Sequence, residues 1–167
     1  IWMVKDMGVM KFYGTLRLKN LSPYWKMLLL MVPLIAIVST QHDFLQKYPR
    51  AQVLPGFPAY EPNDLWQLIL YELSYGFNFL SIELFFRGFL VMALIKYCGT
   101  KCIIPVACFY VAIHMGKPMG EAISSFFGGA LLGIITYHTK SIWGGLIIHV
   151  GIAWMMEIGG AIGRYTT

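Results

Sequence analysis

From Leu65 to Tyr97 the chain runs for 33 residues in which only Glu72, Glu83, Arg87 and Lys96 are charged. A run that apolar predicts a membrane-spanning helix, which needs about 20 residues to cross the hydrocarbon core. At about 1.5 Å per residue the run measures roughly 50 Å, so it must tilt, bend or protrude, as one helix or as two with a break near Gly76. Inside it stands Ser81-Ile82-Glu83-Leu84-Phe85-Phe86-Arg87-Gly88. Glu83 and Arg87 are one helical turn apart and can neutralise each other on one face. Ionisable groups at membrane depth are costly and usually carry function.

Composition agrees with a membrane protein. Hydrophobic residues fill 57% of 167 positions and charged residues 13%, about half the roughly 25% of a soluble domain. The net charge of +5 sits largely beside apolar segments, where it sets orientation in the bilayer rather than implying a nucleic-acid partner. Cys98, Cys102 and Cys108 are odd in number and lie in or near an apolar run. They read as free thiols, not as a disulfide framework or a metal site of their own. The chain begins at Ile1 rather than Met, which fits a fragment or processed form. Its first 20 residues mix Lys5, Asp6, Lys11, Arg17 and Lys19 with apolar residues, unlike a cleavable signal peptide.

The expected architecture is an all-α polytopic membrane bundle with about five transmembrane segments. Residues 1–23 form a cytoplasmic or interfacial lead-in, and 24–167 a membrane-embedded domain. Tyr24, Trp25 and Lys26 suit an interfacial anchor. The first span runs from about Leu21 to Thr40 and contains Pro33. Residues 41–64, with Pro49, Pro55, Pro58 and Pro62, form an extramembrane loop, and Asn63-Asp64 is a candidate N-cap. After Leu65–Tyr97 come Cys102–His114, a turn at 115–120, Glu121–Tyr137, a short loop at 138–140 and Ser141–Ala161. Ser124, Ser125, Gly128, Gly129 and Gly133 are small enough to let helices approach closely. The lead-in, the Lys96/Lys101 turn and the Lys140 turn carry most basic residues and are expected on the cytoplasmic side. Lys47, Arg50 and Lys117 fall on the other side.

His114 and His149 lie in two other apolar segments. Counting about 1.5 Å per residue from the cytoplasmic ends puts Glu83, His114 and His149 near mid-bilayer on three helices. One carboxylate and two imidazoles at one depth can hold a water or a divalent metal such as zinc. The plain alternatives are an ion pair for Glu83 with Arg87 and interhelical hydrogen bonds for the histidines. His42 and His138 read as solvated loop residues, and Asn78 as an interhelical hydrogen-bond group. Glu72 is too far along the helix to join Glu83 unless Gly76 breaks it. Glu121 opens a helix, where a carboxylate offsets the positive dipole end.

With these residues in hand, positions 65–157 resemble the CPBP family of CAAX prenyl proteases and bacteriocin-processing, Abi-type membrane proteases. Glu83-Leu-Phe-Phe-Arg87-Gly88 matches the latter part of the family's Glu-Glu-x-x-x-Arg motif. Tyr110-Val-Ala-Ile-His114 is similar to its Phe-x-x-x-His motif, and His149-Val-Gly-Ile-Ala153 falls where His-x-x-x-Asn belongs. Two positions depart: Ile82 replaces the first glutamate, which the family uses to activate water, and Ala153 replaces the asparagine. Glu157, two turns beyond His149, is a candidate substitute. The resemblance implies an intramembrane endopeptidase, with Glu83, His114 and His149 catalytic and Arg87 in support. It leaves open whether those three hold a metal. The implied partners are a peptide or membrane-protein substrate and the lipid bilayer, and the implied location is a bacterial inner membrane. Two other readings stand beside it: a pseudoprotease that binds a membrane peptide without cleaving, and a small proton or cation transporter.

Overall fold

In a computed structural model, the structure describes residues 14–15, 21–50 and 65–166. The basic residues of the lead-in, Pro55, Pro58, Pro62 and the Asn63-Asp64 cap lie outside the described residues.

Among the described residues every regular element is helical. They are α1 (Ser22–Val38), α2 (His42–Leu45), α3 (Leu65–Glu83), a π-helical segment (Leu84–Val91), α4 (Met92–Cys98), a 3-10 turn (Gly99–Cys102), α5 (Ile103–Ala112), α6 (Met119–Thr139) and α7 (Trp143–Thr166). Among the described residues three runs are long and apolar enough to cross a membrane: Leu65–Ala112, Met119–Thr139 and Trp143–Tyr165. The chain is a polytopic α-helical membrane protein. The five expected segments are all helical, but α5 has only 10 residues and reaches about 15 Å, half the hydrocarbon thickness. Gly76 does not break α3. The irregularity comes one residue after Glu83, where the backbone widens into the π segment.

The chain forms two compact units, one of residues 1–23 with 80–147 and one of 24–79 with 148–167. In the first, Gly99 (φ +56°) ends α4 in a conformation that glycine adopts without steric cost. The chain then doubles back, so that Val106 and Tyr110 of α5 pack on Phe86 and Val91 of the π segment. Beside them α6 runs antiparallel to α5. A Cβ on Gly129 would stand 3.0 Å from the Tyr110 ring, and one on Gly133 3.0 Å from Ile103. Ser125, Gly129 and Gly133 are thus the small face, whereas Ser124 and Gly128 point away and are exposed. This pairing brings the Lys96/Lys101 and Lys140 turns to one end of the unit, in keeping with the charge pattern. At the other end Lys117 is neutralised by an ion pair with Glu121, in the first turn of α6 as expected.

In the second unit Leu28 and Ile35 of α1, with Ser39 just after it, face Gly151, Gly159 and Gly163 of α7. Tyr24 is buried in this unit, whereas Trp25 and Lys26, the other two residues of the expected anchor, are exposed. The segment after α1 is tied down from α7. Arg164 donates to the carbonyls of Tyr48 (3.1 Å) and Leu45 (2.8 Å). The carboxylate of Glu157 accepts the Arg50 backbone N–H at 3.1 and 2.8 Å. Glu157, a candidate substitute base in the sequence, therefore caps a backbone turn. Gly76 packs 3.5 Å from Trp154 when a Cβ is built on it, and Asn78 is exposed rather than held between helices.

Candidate active site

Glu83 is the last residue of α3 and is fully buried, and Arg87 in the π segment is 1% exposed. Arg87 Nη1 meets Glu83 Oε1 at 3.0 Å. Two charges removed from water persist only when each compensates the other. Two further elements close on this pair. The Arg87 guanidinium carbon stands 4.5 Å from the centre of the Tyr110 ring, a cation–π contact whose strength rises as water is excluded. The first turn of α7 comes against the carboxylate on its other side: a Cβ on Gly145 would collide with Oε2 and lie 2.9 Å from Cδ.

Tyr110 continues the row to His114, with ring centres 4.7 Å apart. The sequence placed His114 inside an apolar span. Instead α5 ends at Ala112 and His114 sits half-buried in the turn that follows, its N–H bonded to the Val111 carbonyl at 2.8 Å. Its Nδ1 is 3.3 Å from the Tyr110 carbonyl oxygen. A carbonyl can only accept, so Nδ1 is the donor in this contact, leaving Nε2 free of it. Glu83, Arg87, Tyr110 and His114 thus form one contiguous series within the first unit.

His149 belongs to the second unit, where its ring stacks on Phe79 at 5.6 Å. Ala153, also there, is 5% exposed. Ile82 packs against the Phe86, Val91, Val106 and Tyr110 cluster, so an aliphatic contact occupies the position of the missing glutamate.

A metal does not fit this donor set. Among the described residues no group of three or more His, Cys, Asp and Glu side chains is close enough to hold one. Glu83 Oε1 is already committed to Arg87. Glu83 and His114 are two donors, one fewer than the three protein ligands of a catalytic zinc site.

Sequence reasoning missed two features of the site, the π segment and the approach of Gly145. The Gly144-Gly145 pair was the available signal for the second, since adjacent glycines in an apolar run permit close packing. No curated protein and no solved structure matches the chain. Residues 64–155, more than half of its length, match the Rce1-like family of type II CAAX prenyl endopeptidases. This integral membrane protein belongs to the Rce1-like type II CAAX prenyl endopeptidase family.

Proposed function

We propose that the chain is an intramembrane endopeptidase that hydrolyses a peptide bond of a membrane-associated substrate. The family description points to prenylated C-terminal peptides as the substrate class, and a bacterial inner membrane is the proposed location. The observation that carries the reading is the buried Glu83–Arg87 pair continued through Tyr110 to His114, whose Nδ1 is held by a backbone carbonyl. In this mechanism His114 activates the water, and Glu83 supports it through Arg87 and Tyr110. The Nε2 of His114 takes the proton as the water oxygen bonds to the scissile carbonyl carbon. Glu83, its charge balanced by Arg87, stands at the buried end of the series and holds Arg87 over the Tyr110 ring, against which the His114 ring lies. The proton then passes to the leaving amine as the C–N bond breaks. Low dielectric around the series strengthens each interaction.

A second reading, a member that binds the peptide without cleaving it, is favoured by Ile82, which cannot take a proton and instead packs against the aromatic cluster. One experiment separates the two. Purified protein in lipid nanodiscs is offered an internally quenched farnesylated peptide, with wild type compared against His114→Ala and Glu83→Gln. Turnover that both substitutions abolish supports the peptidase. Equal background in all three ends it. Binding without turnover, together with cleavage gained on Ile82→Glu, establishes the degenerate binder. Ion flux into liposomes that requires His149 points instead to transport.

A further inference from the structure

The two oxygens of Glu83 are divided between two elements. Oε1 faces the Arg87 guanidinium at 3.0 Å. Oε2 faces the backbone of Gly145, where any side chain would collide with it; the same Cβ would lie 3.5 Å from Oε1. Gly145 is in the first turn of α7, a helix that begins at Trp143 and runs for 24 residues. The N–H groups of a first turn have no intrahelical partners, and that end carries positive partial charge. The N–H of Trp143 reaches the Ser141 hydroxyl at 3.4 Å, and that of Leu146 reaches the Ile142 carbonyl at 3.0 Å. The carboxylate is therefore enclosed between a guanidinium and the positive end of a helix, with 0% of its surface exposed. A methyl group at 145 removes the space that Oε2 occupies.

We propose that Gly145 is a positioning residue for Glu83: lacking a side chain, it lets the first turn of α7 close on Oε2 while Arg87 holds Oε1, fixing the carboxylate in one orientation as an anion. As a contribution to hydrolysis this rests on the peptidase reading; as the means of holding the carboxylate it stands independently. Gly128 supplies the comparison, because a Cβ there meets nothing within 4 Å.

The test uses the full chain in lipid nanodiscs and reads the carboxylate directly. The infrared difference between wild type and Glu83→Gln isolates the ionised-carboxylate bands of Glu83. Gly145→Ala shifts or broadens those bands, whereas Gly128→Ala leaves them unchanged. Aspartate is one methylene shorter and makes room for the added methyl, so Gly145→Ala/Glu83→Asp regains the unfolding midpoint that Gly145→Ala loses. If Gly145→Ala yields no folded protein, recovery of monodisperse protein in the double variant supports the proposal and its failure overturns it. Unchanged bands in folded Gly145→Ala also overturn it, as does a loss of midpoint on Gly145→Ala that is equal with and without Glu83→Asp. Where wild type cleaves peptide, Gly145→Ala lowers kcat about tenfold or more at nearly constant KM. A wild type without turnover sinks the peptidase reading and leaves the spectra and the rescue to decide on Gly145.

Discussion

Arg87 holds its guanidinium carbon 4.5 Å above the centre of the Tyr110 ring while the same group pairs with Glu83 at 3.0 Å. One cation thus joins the end of α3 to α5, and the aromatic face replaces solvent that burial has removed. Such a centre is stable only as a whole, because either charge left alone in the interior has no water to fall back on.

Arg87→Met accordingly costs about 3–5 kcal/mol, the usual penalty for breaking a buried pair from one side. The double variant Glu83→Leu/Arg87→Met costs less than Arg87→Met alone, since it leaves no orphaned charge. Thermal unfolding in a mild detergent, followed by helical circular dichroism, measures both. A single variant within about 1 kcal/mol of wild type contradicts the burial of the pair.

Tyr110→Phe keeps the ring under Arg87 and between Phe86 and His114, and it restores the side chain of the family motif. It loses the hydroxyl's hydrogen bond to Arg87, at a cost of about 1.5–3 kcal/mol for a bond to a charged group. Tyr110→Ala removes the ring from both contacts and loses about 3–5 kcal/mol, as large aromatic deletions do. The two variants side by side distinguish a role for the ring from one for the hydroxyl.

Features that depend on local periodicity were legible in the sequence. Glu83 and Arg87 meet because i and i+4 share a helix face, and the small residues at 125, 129 and 133 share another. The segment boundaries followed hydropathy to within a few residues. Features that depend on backbone register or distant pairing were not legible. The π segment at Leu84–Val91 leaves the side-chain pattern as apolar as an α-helix would. The approach of Gly145 to Glu83 joins residues far apart in sequence, with no local signal beyond the glycines. His114 was misplaced because the apolar run continues through Ile113 although α5 stops at Ala112. Glu157 attracted notice for its spacing from His149, yet its partner is a backbone N–H at position 50.

The glycines of α6 should separate by the direction they face. Gly128→Ala adds a methyl group in open space and improves helix propensity, a gain of up to about 1 kcal/mol. Gly129→Ala gains the same propensity but presses on the Tyr110 ring at 3.0 Å, so its midpoint falls below that of Gly128→Ala. Gly129→Leu cannot be accommodated and forces α5 and α6 apart, with loss of about 1–3 kcal/mol or more from overpacking. Parallel unfolding curves of the three check the antiparallel register of these helices.

The ties between α7 and residues 45–50 predict a local rather than a global effect. Arg164 holds two carbonyls and Glu157 one backbone N–H, and charge-assisted hydrogen bonds contribute about 1.5–3 kcal/mol each at most. Arg164 is exposed, which places its share at the low end. Arg164→Ala therefore loosens the turn by about 1 kcal/mol, while buried Glu157→Ala costs more because it also orphans the Arg50 N–H. Limited proteolysis reads this directly: cleavage after Lys47 or Arg50 accelerates several-fold in Glu157→Ala, less in Arg164→Ala, with helical content unchanged. If Glu157 were instead a catalytic base, its removal would abolish turnover without changing the proteolysis rate.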